Sequence, residues 1–303
     1  MANSEHLAYL QQGVETWNQW RRTHNFTPDL SQANLSSAIL RFANLKSADL
    51  HKAQLSKADL NRANLVEAKL TGANLCEAHM AQASCIKADL SEANLVYANL
   101  AEADLEEANI TGANFRMAIL SAANFIAAKL NEANFSNAQL NEADFHEADL
   151  TGANLSKANA SQADFSRAIL QEANFSEANL EGVELRKAIL TEANFYQAHL
   201  SGANLSEANL KGSDLVKANL SNANLDRSDL SGANLSGANL TGADFSEANL
   251  KGANLSYTRL NANFCGADLT DADLTGADWQ DGNFYQAQFS ENQTPTSLGN
   301  FNS

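Results

Sequence analysis

From Leu35 to Leu260 an apolar side chain returns at every fifth residue without a slip, which makes 46 consecutive five-residue units. Only Met80, Cys85, Ile110 and Ala160 depart from Leu or Phe at this central position. Ala stands two residues earlier in 42 units, the exceptions being Val183, Ser213, Ser228 and Thr258, and the residue between is Asn or Asp in 33. A period of five matches neither the helical repeat of about 3.6 nor the strand repeat of about 2. Each unit must therefore hold a short extended piece and a turn. In the extended piece the Ala and the central residue face one side, a core, and the residue between them faces out. Asn and Asp suit that slot because their side chains bond nearby backbone and stabilise turns. Twelve of the 15 glycines, among them Gly72, Gly112, Gly152 and Gly232, stand three residues before a central residue, where a turning chain needs conformational latitude.

Runs such as SGANLSGANL at residues 231–240 resemble the pentapeptide repeat family, and the resemblance covers about residues 31–289. It implies an all-β fold, a right-handed quadrilateral β-helix with four units per coil. The placement of phenylalanine tests that coil size independently. In the unbroken frame the central Phe residues are Phe115, Phe125, Phe135, Phe145, Phe165, Phe175, Phe195 and Phe245, all at odd multiples of five. A spacing of ten suits a four-sided coil with Phe on opposite faces, and does not suit a three-sided one. After Leu260 the frame slips once, at Asn261-Ala-Asn-Phe264, and resumes at Leu269, Leu274, Trp279, Phe284 and Phe289. The units make about 13 coils, on the order of 60 Å at the inter-strand spacing. The slip predicts a kink or a tightened corner near residues 260–264.

The ends of such a stack need caps, because they expose apolar side chains and an unpaired edge. Ser4 is placed to N-cap one amphipathic helix over about residues 5–23, with Leu7, Leu10, Val14 and Trp17 on its inner face. Within it, the run GVETWNQWR at residues 13–21 also resembles leaders on cyanobacterial members of the family. The expected domains are an N-terminal helical cap over 1–30, the repeat over 31–289 and an irregular tail over 290–303 that holds Leu298 and Phe301.

Composition narrows the function. With 36 acidic and 20 basic side chains the formal charge is −16, which opposes direct binding to nucleic-acid phosphates or anionic membranes. No apolar stretch approaches the roughly 20 residues of a membrane span. Cys76, Cys85 and Cys265 are too few for a disulfide framework, so a cytoplasmic location is expected. Catalysis is not expected, because Ser, Asp, Asn and Glu recur at outward slots without convergent geometry. No metal site or cofactor is expected either, since the six histidines are scattered.

Charge is concentrated instead. Residues 88–150 hold 11 acids and only two bases. Folded at twenty residues per coil, Glu102, Glu106, Glu107, Glu132, Glu142 and Glu147 join Asp89, Glu92, Asp104, Asp144 and Asp149 on two adjoining sides and their bounding corner. An alternative apolar surface, Val96, Tyr97 and Met117, lies elsewhere at the same height. The leading expectation is a monomeric, non-enzymatic protein-interaction module that binds another protein through an outward surface, in a regulatory or scaffolding role. Resemblance to the family's fluoroquinolone-resistance members implies an alternative, a DNA mimic that binds DNA gyrase or another DNA-binding protein. Those members join through a C-terminal helix, and no such helix is readable here.

Overall fold

The computed structural model describes residues 2–291 and 293. The chain divides into two compact units, 1–154 and 155–303. Both are built from the same five-residue element. In each unit of five, the carbonyl of a central residue accepts from the amide three residues on, as Leu30 does from Ala33 at 3.1 Å. The second turn residue has positive φ, +59° at Gln32, which defines a type II turn. The three residues that follow are extended, and the Asn or Asp slot forms a parallel bridge to the residue twenty positions on, as Asn34 does to Gln54.

Positive φ costs a residue with a Cβ about 1–2 kcal/mol, yet most corners carry Glu, Lys, Gln or Arg. The ladder explains why the corner persists. The turn aims the amide of Glu102 along the stack to the carbonyl of Ser121 at 2.9 Å, while Leu100 donates to Ile119 at 2.7 Å and Asn99 donates back to Ala78 at 2.9 Å. Within each compact unit these bonds run to the coils before and after, and they offset the strain of the corner. Four such units close a twenty-residue coil, and the fold is a right-handed quadrilateral β-helix.

The unit of residues 1–154 begins with two helices, α1 (Ser4–Gln11) and α2 (Val14–Thr23). The single helix expected over 5–23 is broken by Gly13, whose φ of +108° is not helical. The N-cap is Asn3 rather than Ser4, because the Asn3 carboxamide oxygen accepts from the amides of Glu5 and His6. Leu10 and Trp17 are buried as expected, whereas Leu7 and Val14 are only half-buried. His6, Trp20 and Arg21 also go inside, and spacing alone did not mark them. The helices supply donors that a preceding coil would have supplied. Trp17 Nε1 donates to Asn44 O at 2.8 Å, Asn18 Nδ2 to Phe42 O at 3.0 Å, and Arg21 Nη2 to Lys46 O at 2.9 Å. His6 Nδ1 accepts from the Asp29 amide at 3.0 Å.

Inside this unit the Ala and central side chains are sequestered from solvent, except the half-buried Ala38 of an early coil. Phe115 stacks on Phe135 at 5.0 Å and Phe125 on Phe145 at 4.6 Å, while Phe115 meets Phe125 edge to face at 6.4 Å. This is the arrangement that the ten-residue phenylalanine spacing predicts for opposite faces. Fully burying a central Leu stabilises by about 1.5–3 kcal/mol.

The unit of residues 155–303 repeats this plan. Phe175 and Phe195 stack at 5.0 Å, and Phe264 stacks between Phe245 and Phe284 at 5.0 and 5.1 Å. The frame slip lies here and produces a tightened corner. Bridges of residues 244, 249, 254 and 259 run to partners 19 positions on, before the offset returns to 20 at Asn263 and Asn283. One missing residue is absorbed at residues 261–262, and the ladder is stitched across by Asn263 Nδ2, bonded to Asp244 Oδ1 at 3.0 Å and Ser246 Oγ at 2.7 Å. At the far end Ser290 Oγ donates to Asp271 Oδ1 at 2.9 Å, and Gln293 Nε2 donates to the Ala272 carbonyl. The expectation for Leu298 and Phe301 falls outside the described residues.

Candidate interaction surface

The acidic band divides into two chemically different sets. The aspartates stand on the sides of the coil, where each closes a local turn. Asp104 Oδ1 accepts from the Glu106 amide and from Asn124 Nδ2 one coil on, and Asp144 Oδ1 accepts from the His146 amide at 2.9 Å. Burial raises the pKa of Asp89, but bonds from Ser91 Oγ, Thr71 Oγ1, the Ser91 amide and Asn109 outweigh it, so the carboxyl titrates below the ordinary aspartate range. Asp149 is likewise lowered, burial being outweighed by Asn131 and by the hydroxyl and amide of Thr151. These carboxylates belong to the scaffold.

The glutamates stand at corners and project. Glu102, Glu107, Glu132, Glu142 and Glu147 are exposed and Glu106 is half-buried. Glu102 and Glu142 share a column with Ala122 between them, and Glu107 and Glu147 share the next with Ala127 between them. Carboxylates in a column are therefore two coils apart, roughly 10 Å, which weakens their mutual repulsion in salt. Glu102 accepts from Gln82 Nε2 at 2.7 Å, Glu107 pairs with Lys87 at 3.3 Å, and Glu147 lies 3.7 Å from His146 Nε2.

The alternative apolar surface lies at another corner of the same unit. Tyr97 and Met117 are adjacent in one column, 52% and 40% exposed, and Val96 beside them is half-buried. The side-facing Ile119, 39% exposed, extends this patch. It was legible as an Ile in the Asn/Asp slot. Beside Tyr97 a shallow depression of about 570 Å³ is lined by Lys57, Glu77 and His79.

Nothing in this arrangement activates a nucleophile or assembles a ligand set for a metal. Cys85 points into the core, and burial, then the charge of Asp104, pushes its thiol up to about 12. Cys76 and Cys265 are half-buried free thiols. Among the described residues no three His, Cys, Asp or Glu side chains converge as a metal ion requires, and no helix is long and apolar enough to cross a membrane.

A four-sided parallel ladder with an Ala and Leu interior and its amides committed to the coils defines a β-helical repeat protein. The chain belongs to the pentapeptide repeat family. The profile for pentapeptide repeats (8 copies) matches residues 29–65, 58–95, 88–125, 188–227, 228–262, 243–278 and 261–291, and that for a pentapeptide repeat region matches 118–195. Among solved structures, the chain is 32% identical to HetL, a pentapeptide repeat protein involved in heterocyst differentiation regulation from the cyanobacterium Nostoc sp. strain PCC 7120. That match covers 78% of this chain and 91% of HetL with a TM-score of 0.46. A pentapeptide repeat protein of the Arabidopsis thaliana thylakoid lumen is 33% identical over 33% of this chain and 66% of its own, with a TM-score of 0.25. Full-length QnrB1, a plasmid-mediated fluoroquinolone resistance protein, is 20% identical over 74% of this chain and 92% of its own, with a TM-score of 0.30. No curated protein sequence matches the chain.

Proposed function

We propose that this chain is a non-catalytic protein-interaction module, working in a reducing cytoplasm, whose contact surface is the set of corner glutamates between residues 102 and 147. The observation that carries the reading is the division of labour in the acidic band. The side aspartates are engaged in turn and ladder bonds, while Glu102, Glu107, Glu132, Glu142 and Glu147 project from exposed corners, and the amides of Glu102, Glu107 and Glu132 are fixed by ladder bonds to the next coil. Preorganised charge of this kind favours fast, salt-sensitive association with a basic surface and lowers the ordering cost of binding.

The test compares capture from a lysate of the source cell by three immobilised proteins. They are the wild type, a variant with Glu102, Glu107, Glu142 and Glu147 changed to Gln, and a variant with Val96, Tyr97 and Met117 changed to Ser. A protein that wild type retains at low salt, and that the Gln variant loses, supports the reading. Loss only in the Ser variant moves the contact to the apolar corner. If the retained protein is a DNA-binding enzyme that DNA displaces, the surface acts as a DNA mimic. Equal retention by wild type and the Gln variant at low salt would falsify the acidic surface.

A further inference from the structure

In the unit of residues 155–303, one corner column departs from the rest of the surface around the frame slip. It runs Lys217, Gly237, Tyr257, Gly276. Tyr257 is 75% exposed. Its ring lies against Gly276, where an added Cβ would come within 2.9 Å of two ring carbons. On the other side of Tyr257 in the column, Gly237 leaves a gap, and the stem of Lys217 leans over it, with Cγ 3.7 Å from the position a Cβ would take. The gap opens into a depression of about 420 Å³ lined by Gly237, Ala238, Asn239, Thr241, Tyr257 and Arg259.

Arg259 lines this depression, and Lys217, whose stem lies over Gly237, precedes that glycine in the column. Among the described residues neither has an ion-pair partner within 4 Å, although the chain carries a charge of −16. Asp278 follows Arg259 in the ladder, but its Oδ1 is turned to the Gln280 amide at 3.1 Å. Arg259 itself takes the slot that Asn or Asp holds in most units, so its guanidinium replaces a turn-forming side chain. Thr241 gives its hydroxyl proton to Asn239 Oδ1 at 2.7 Å, which leaves the lone pairs of Thr241 Oγ1 to accept from a ligand hydroxyl.

We propose that this depression binds a small anionic sugar, a single pyranose ring that carries one carboxylate or phosphate. The ring lies against the exposed face of Tyr257. The anionic group is held by Arg259, whose guanidinium offers a planar fork to it, and the positive charge of Lys217 one coil before the Gly237 floor adds to the attraction. A ring hydroxyl donates to Thr241 Oγ1. The site is independent of the acidic corners proposed above as a protein contact, which lie in the other unit.

Calorimetric and amide-shift NMR titrations of the full chain with glucuronate, glucose 6-phosphate, glucose, inorganic phosphate and acetate test this. One or both anionic sugars are expected to bind more tightly than glucose, phosphate or acetate, with shifts centred on Gly237, Thr241 and Tyr257. Binding of only one of the two identifies the carboxylate or the phosphate as the preferred group. Arg259→Gln and Tyr257→Ala should each weaken binding roughly tenfold or more, as loss of a charge-assisted bond or a stacking face does. Gly237→Gln should abolish it by filling the gap, at a corner where Gln197 shows that glutamine is tolerated. Lys187→Gln, which removes a cation paired with Glu207 instead, is the control and should leave binding unchanged. An unaltered circular-dichroism melt for each variant separates loss of binding from loss of fold. The proposal is overturned if no anionic sugar binds, if glucose, phosphate or acetate binds as well, or if binding survives both Arg259→Gln and Tyr257→Ala.

Discussion

Two stretches of corner, one in each compact unit, carry the same backbone and share a lysine and a tyrosine at matching positions. In the unit of residues 1–154 the column reads Lys57, Glu77, Tyr97, Met117; in the unit of residues 155–303 it reads Lys217, Gly237, Tyr257, Gly276. The corner φ angles are 57°, 57°, 59° and 59° in the first column and 57°, 67°, 57° and 68° in the second. In the first, Glu77 neutralises Lys57 at 3.6 Å, and Met117 follows Tyr97 on the other side. Both tyrosines border a depression, but in the second column glycine replaces both neighbours of the tyrosine and Lys217 loses its counter-charge, so the floor beside Tyr257 is bare backbone where Glu77 stands beside Tyr97. The difference teaches that the coil fixes where a corner side chain stands, while the residues one coil before and after decide whether it is buttressed or open.

The largest effect should come from beneath the two corners, where that comparison predicts no difference. Leu95 and Leu255 are both fully buried. Leu95→Asp and Leu255→Asp should each cost on the order of 5 kcal/mol or more by placing a carboxylate in an apolar interior. Circular-dichroism melts would record collapse of the surrounding coils in both variants. A stable Leu255→Asp protein beside an unfolded Leu95→Asp protein would break the claim that the two corners share one kind of core.

A smaller, one-sided effect is expected at the corner itself. Gly276→Ala places a Cβ at φ +68° and against the Tyr257 ring, and should cost about 1–2 kcal/mol in urea unfolding. Met117→Ala, in the same column position after Tyr97, keeps a Cβ where one already exists and should change stability by less than ~1 kcal/mol. Equal costs for the two would mean that the second column is no more open than the first.

Acid should distinguish the units more gently. Asp29, Asp89 and Asp149 in the first unit and Asp273 in the second have lowered pKa values, as do the exposed, Arg-paired Glu207 and Glu247 of the second. Asp89 owes this to bonds from Ser91, Thr71 and Asn109 that outweigh burial, and Asp273 to the hydroxyl and then the amide of Thr275. A depressed folded pKa contributes stability that is fully present above the unfolded value of about 3.9 and is lost as pH falls through the folded value. Stability should therefore hold from neutral pH to about 4 and decline below it. Hydrogen exchange at low pH should show amides around Asp89 and Asp149 losing more protection than those around Asp273, because more native bonds depend on the ionised form. The reverse order would undo this contrast.

The smallest effect is at Glu77. Glu77→Gln removes the exposed ion pair with Lys57 and should cost no more than ~1 kcal/mol, less in high salt. The substitution makes Lys57 resemble Lys217 in charge while a side chain still stands at position 77. Thermal melts at low and high salt would record it.

Much of the fold is legible in the sequence. The Ala and Leu positions state which side chains go inside, and phenylalanine at odd multiples of five states how many units make a turn, because aromatic rings of adjacent coils need neighbours of matching bulk. The broken four-residue step at Asn261–Phe264 announced the tightened corner. The cap was legible only in outline. Leu10 and Trp17 were marked by spacing, but Arg21 and His6 are buried because they supply or accept bonds at the open coil edge, and periodicity carries no record of a polar residue recruited in this way. The break at Gly13 was missed because a helical apolar spacing persists on both sides of it.

The surface was legible as composition and not as function. Counting placed Glu102, Glu107, Glu142 and Glu147 in an acidic band, yet it could not separate them from Asp89 or Asp144, whose carboxylates are occupied by turn bonds. Sequence by itself determined the repeat, the inward and outward faces and the coil length, because those follow from a period that each unit enforces locally. Tertiary structure alone decided which acids project, which lysine is paired and which tyrosine stands between two glycines. Those outcomes depend on residues twenty positions away, brought to about 4.8 Å by the ladder, and a side chain's environment there is set by its neighbours along the stack rather than by its neighbours along the chain.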